Sequence, residues 1–213
     1  MYPAGNLFIP APHGRLEAIW KEPRGASPRG VALVLHPHPL HGGTMHNKVV
    51  FRTARGLEDA GLASLRVNFR GVGHSTGEHT GAQGGEQEDA RIALDFLTEK
   101  HPGLPVFLAG FSFGARVGME VGLADTRVAR LVSIGTPAEK YDFSFLRACR
   151  KPILFVHGDR DEFGRVETLR ALVDSLPAEA QASLVVVEDA DHFFEGRLDE
   201  LKRAITDWVK TST

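Results

Sequence analysis

The sequence predicts an α/β fold, a three-layer α/β/α sandwich built on a mostly parallel sheet. Three observations carry that prediction. Six short apolar runs recur from Val31 onward, stretches of helical spacing separate them, and most runs are apolar throughout rather than alternating. Continuous apolar runs mark strands covered on both faces. Strands alternating with helices pair in parallel, because a crossover that brings the chain back usually contains a helix.

The elements follow in order. LFIP and RLEAIW flank the turn residues of PAPHG, which predicts an antiparallel hairpin at the sheet edge. The strand candidates are VALVL at Val31, ASLRVNF at Ala63, PVFLAG at Pro105, ARLVSIG at Ala129, PILFVHG at Pro152 and ASLVVVE at Ala182. Asn47 is placed to cap a helix ending near Gly61. Ala90, Ala93, Leu94 and Leu97 fall at i, i+3, i+4 and i+7, and Leu198, Leu201, Ile205, Trp208 and Val209 form a second stripe. Gly114, Gly118 and Gly122 recur along one face of a further helix. Each costs roughly 1 kcal/mol relative to alanine in a helix interior, so close packing is expected there.

The 213 residues, against a prior of about 150 per domain, read as a single domain over residues 1–213. No repeat or long linker divides them. With 42% hydrophobic and 24% charged residues the chain is neither disordered, collagen-like nor coiled coil. Lys and Arg number 25 against 27 Asp and Glu, a net charge of -2, and no basic block invites nucleic acid or an anionic membrane. MYPAGNLFIPAPHG lacks the pattern of a signal peptide, and no apolar run approaches about 18 residues, so a cytoplasmic protein is expected. Cys149 is the only cysteine, which excludes an intrachain disulfide and leaves a Cys-based metal site short of ligands. Nothing in the sequence speaks to oligomeric state.

The run PVFLAGFSFGA sets Gly110, Phe111, Ser112, Phe113 and Gly114 where a buried strand meets a helix, the context that a G-x-S-x-G elbow requires. A tight strand-to-helix turn strains the serine backbone and crowds positions two residues to either side, hence glycine at 110 and 114. A serine hydroxyl needs a base to take its proton, and the base needs a third group to orient it. Later strand ends supply Asp159 and Asp161 in HGDRDEF and His192 in EDADHFF. Asp191 adjoins His192 too closely to turn onto its ring. Asp161 is the preferred acid, with Asp159 and Asp189 as structural alternatives. Phe193 and Phe194 read as core.

On LVLHPHPLHGGTMHNK, VNFRGVGHSTG, LAGFSFGA, VHGDRD and DADHF the chain resembles a small serine esterase of the α/β-hydrolase superfamily, of the dienelactone-hydrolase-like group. The resemblance covers nearly the whole chain. It implies an α/β-hydrolase fold, a Ser, Asp, His order of catalytic residues, and a G-x-x-D pattern that maps the acid onto Asp161. True dienelactone hydrolases carry a cysteine at the place of Ser112.

Hydrolysis through an acyl-enzyme needs two backbone donors for the oxyanion. One is the amide of Phe113, at the start of a helix. The other is expected in the loop after VALVL, where Pro37 and Pro39 have no N–H, leaving Leu40 as the preferred donor and His38 as the alternative. Larger relatives can insert a cap between ARLVSIG and PILFVHG. Here only about 16 residues lie there, against about 50 for a domain, so an open site without a cap is expected. It would take a small-molecule acyl substrate, without cofactor, with Leu40, Phe113 and Phe163 as apolar walls.

Two rival readings stand beside this one. His36, His38 and His41 have the H-x-H-x-x-H spacing of a metal-dependent hydrolase, although Leu40 occupies the usual aspartate position. A non-catalytic binding protein on a hydrolase fold is the other. FRGVGHSTG matches no phosphate-loop motif and reads as a shaped turn containing Arg70 and His74.

Overall fold

Two turn residues, Pro12 and His13, reverse the chain between β1 (Asn6–Ala11) and β2 (Gly14–Lys21), which pair antiparallel. The computed structural model describes residues 5–25 and 27–211, so the first four residues of the N-terminal stretch read above lie outside it. The pairing runs closer to the turn than expected, past Pro10 opposite Arg15 to Ala11 opposite Gly14. β1 is an edge strand, where the missing proline N–H leaves no ladder bond unmade.

The six apolar runs become β3 (Val31–Leu35), β4 (Ala63–Val67), β5 (Val106–Phe111), β6 (Val128–Ile134), β7 (Ile153–Gly158) and β8 (Ser183–Val187). The sheet order is β1-β2-β4-β3-β5-β6-β7-β8, with β3 through β8 mutually parallel. Side chains alternate across it: Val31, Leu33 and Leu35 enter one half of the core, Ala32 and Val34 the other.

Among the described residues, five α-helices cover the two faces. α1 (Lys48–Asp59) and α5 (Leu198–Thr211) pack on one side, and α2 (Gly85–Lys100), α3 (Phe113–Ala124) and α4 (Val166–Asp174) on the other. The Asn47 side chain accepts the Val49 amide at 2.8 Å and caps α1. The stripe of Ala90, Ala93, Leu94 and Leu97 is fully buried on α2. Among the described residues no helix is long and apolar enough to cross a membrane.

Parallel pairing has one consequence for function. The carboxyl ends of β3, β5, β7 and β8 all reach the same edge of the sheet, where α/β folds place their sites.

Candidate active site

β5 ends at Phe111 and α3 begins at Phe113, so Ser112 alone turns the chain, with φ 56° and ψ −117°. For a residue with a Cβ this left-handed region costs on the order of 1–3 kcal/mol and persists only where the surroundings impose it. The Ser112 amide donates to the Ile134 carbonyl at 2.9 Å, tying the turn to β6. A Cβ on Gly110 would strike the Gly114 carbonyl, and one on Gly114 would lie 2.5 Å from the His36 carbonyl oxygen. Those obstacles are backbone. Further along α3, a Cβ on Gly122 would meet the Leu131 side chain, which is the close packing that the glycine spacing predicts.

His192 follows β8 and reaches over the elbow. Its Nε2 lies 2.9 Å from Ser112 Oγ, and its Nδ1 lies 2.8 Å from Asp161 Oδ2. The carboxylate fixes the ring hydrogen on Nδ1, which leaves the Nε2 lone pair to accept from the serine hydroxyl. Asp161 Oδ1 accepts the Phe163 amide at 2.8 Å, and both His192 and Asp161 are buried. Beneath them His157 Nε2 donates to the Gly164 carbonyl at 2.6 Å, steadying the turn that bears Asp161.

The other carboxylates are engaged elsewhere. Asp159 is exposed, Asp189 pairs with Arg160 and Arg197, and Asp191 Oδ1 accepts the amides of Phe193 and Glu195. Of the candidates read from sequence, Asp161 is the one that meets His192.

A cavity of about 360 Å³ opens over Ser112. Phe113 and Phe163 line it, the Phe163 ring standing 4.6 Å from the His192 imidazole, edge to face. Leu40 does not line it. Its side chain is 72% exposed, and its amide donates to His38 Nδ1 at 3.2 Å, capping a short 3-10 turn over Pro39–His41. Leu40 is therefore neither wall nor free donor, because the His38 side chain takes the amide. Phe194 is core, but Phe193 is half exposed and walls the cavity, since the Asp191 turn swings it outward. Lys140 and Tyr141, from the segment between β6 and β7, and His41 and Asn47 complete much of the rim. No local pattern marks Lys140 or Tyr141 in the sequence, and His41 and Asn47 stand out there only as a metal candidate and a helix cap; the fold brings the four together from distant segments.

The three histidines after β3 do not gather around one point. His36 is fully buried, with Nδ1 2.6 Å from the Pro37 carbonyl and Nε2 accepting the Phe69 amide at 3.0 Å, so both ring nitrogens are taken by the chain. His38 packs on Phe113, His41 and His79. Burial, then the His79 and His41 rings, hold its imidazole below the ordinary value. Among the described residues no three His, Cys, Asp or Glu side chains are arranged to hold a metal ion. Arg70 and His74 serve the loop architecture: Arg70 forks onto buried Asp89 at 2.7 and 3.0 Å, and the His74 amide donates to Glu17.

Comparison with known proteins agrees with this architecture. A family model described as an alpha/beta hydrolase domain matches residues 31–208. An uncharacterized protein of Rickettsia prowazekii is 36% identical over 214 residues, spanning 97% of this chain and 89% of the relative. The chain is similar to an alpha-beta serine hydrolase homologue from Coxiella burnetii, at 37% identity and a TM-score of 0.89 over 97% of this chain and 98% of that one. It is also similar to a Xanthomonas campestris member of the a/b serine hydrolases without lid, at 34% identity and a TM-score of 0.89 over 100% and 97% of the two chains. With the family pattern running from β3 into α5, and with relatives matched almost end to end, the chain belongs to the alpha/beta hydrolase domain family.

Proposed function

We propose that residues 1–213 form one α/β-hydrolase domain that cleaves carboxylic esters through an acyl-enzyme on Ser112. The observation that carries this reading is the continuous relay from Ser112 Oγ to His192 at 2.9 Å and from His192 to Asp161 at 2.8 Å. His192 accepts the serine proton as Oγ attacks the carbonyl, returns it to the leaving oxygen, and then activates the water that releases the acid. Asp161 holds the imidazole in the required tautomer and stabilises its charged form.

The oxyanion would be met by two amides. Phe113 opens α3, so its N–H has no acceptor within the helix and stands at the positive end of the helix dipole. With the Leu40 amide taken by the His38 ring, the second donor is the His38 amide, which meets no acceptor among the described residues. The cavity between them is open, which suits small or accessible acyl groups.

The test is intact mass after treatment with a fluorophosphonate, comparing wild type with Ser112→Ala and repeating the labelling with a chelator. A single chelator-independent adduct, absent from the variant, is expected. An unlabelled wild type would overturn the mechanism and favour a binding role for the same cavity.

A further inference from the structure

One wall of the cavity carries a positive charge that no carboxylate among the described residues answers. Lys140 lines the cavity together with Ser112, and its Nζ stands 3.9 Å above the centre of the Phe163 ring. Among the described residues no carboxylate lies within ion-pair distance of that ammonium. The adjacent Glu139 is turned away, accepting from Arg165 at 2.9 Å and Thr168 at 2.7 Å. Among the described residues no Asp or Glu lines the cavity, while His38 and His41 add ring nitrogens to its lining. The net charge of the whole chain is -2, so this bias towards anions belongs to the cavity and not to the surface as a whole.

The position of the charge relative to the relay tells which part of a substrate it would meet. His192 hands its proton to the leaving oxygen, so the alcohol portion of an ester passes beside the imidazole. Phe163 flanks that imidazole at 4.6 Å, and Lys140 caps the same phenylalanine. The proton donor and the ammonium thus each lie one contact away from the same Phe163 ring. Phe163, Phe193 and Tyr141, which line the same cavity, are aromatic.

Resting on the esterase reading above, we infer that this site selects esters whose leaving group is an aromatic alcohol bearing a carboxylate, with Lys140 as the specificity-determining residue that grips the carboxylate. The ring lies against Phe163, and the anion pairs with the Lys140 ammonium as the ester carbonyl meets Ser112. The reaction is ordinary hydrolysis: water adds across the acyl–oxygen bond and releases the acid and a hydroxybenzoate-type alcohol. The pair forms in a site that the substrate itself partly dries, where an ammonium–carboxylate contact exceeds its value on an open surface.

The experiment compares para- and meta-acetoxybenzoate with their neutral amide counterparts, acetoxybenzamides, on wild type, Lys140→Met and Lys140→Glu. The readout is the ratio of kcat/KM for the acid to that for the amide, which cancels effects of each substitution on turnover in general. For at least one isomer the ratio is expected to fall about five- to tenfold in Lys140→Met and further in Lys140→Glu, mainly through KM, and to shrink in wild type as salt is raised. A ratio that neither substitution moves overturns the assignment while leaving the esterase reading intact. Failure of wild type to cleave either the acids or the amides, together with phenyl acetate, overturns the esterase reading and this inference with it.

Discussion

The two oxygens of Asp161 hold different partners: Oδ2 meets His192 Nδ1 at 2.8 Å, and Oδ1 accepts the Phe163 amide, also at 2.8 Å. One carboxylate thus orients the His192 imidazole and pins the backbone of a residue that walls the cavity. Asp161→Asn would present an amide where His192 needs an acceptor, or free the ring to take the wrong tautomer. Its turnover of a neutral acetate ester is expected to fall by roughly 10³- to 10⁴-fold. Asp159→Asn, at an exposed position two residues earlier, should change the rate less than about twofold. Equal losses in steady-state kinetics would remove Asp161 from the role.

The glycines around the elbow separate backbone obstacles from side-chain ones. A methyl group at Gly110 meets the Gly114 carbonyl, which cannot move without unmaking the turn, whereas at Gly122 it meets Leu131 Cδ2, which can rotate. Gly110→Ala is therefore expected to cost the upper end of the about 1–3 kcal/mol typical of overpacking, and Gly122→Ala less. Urea unfolding of the two variants gives the order.

Burial pushes the His36 imidazole down from its ordinary 6.5 to about 4. The unfolded chain binds this proton near 6.5 and the folded chain only near 4, so in between the unfolded state holds more protons. The stability present above 6.5 is lost progressively as pH falls towards 4, by up to roughly 3 kcal/mol from this residue. His36→Gln, though less stable at neutral pH, should lose less than wild type between pH 7 and about 4.5. Parallel losses in denaturant titrations would show that His36 is not the group responsible.

Two arginines with similar partners should behave differently. Arg70 forks onto Asp89, whose side chain is fully buried, while Arg127 pairs with Asp95 and Asp125 at the surface. Arg70→Met strands a buried carboxylate and is expected to cost about 3 kcal/mol or more. Arg127→Met should cost under about 1 kcal/mol. Thermal or urea midpoints of the two variants make the comparison.

Much of this architecture is legible in the sequence, for reasons that differ from element to element. The strands from Val31 to Val187 announce themselves because parallel strands buried on both faces must be apolar at nearly every position. α2 and α5 announce themselves by period. α4 is less plain, since its stripe of Leu169, Leu172 and Val173 spans a helix of only 9 residues and buries Leu169 alone completely. Ser112 and His192 are readable because a strained turn and a strand end constrain their neighbours. Leu40 is misread because the competing acceptor for its amide is a side chain, His38, and backbone position alone cannot reveal that. Lys140 and Tyr141 are silent in sequence because their importance comes entirely from where β6 and β7 deliver the segment between them.

The backbone of Ser112 also sets the protein's two requirements against one another. At φ 56° a glycine would rest without strain, and the serine proposed as nucleophile cannot. Relief of about 1–3 kcal/mol of strain, less up to about 1 kcal/mol for the extra freedom of glycine in the unfolded chain, makes Ser112→Gly a candidate for a more stable and inactive protein. Selection for stability alone would then erode the elbow at its centre. A serine at this position is thus held against the pull of the chain's own folding, as the nucleophile proposed above requires.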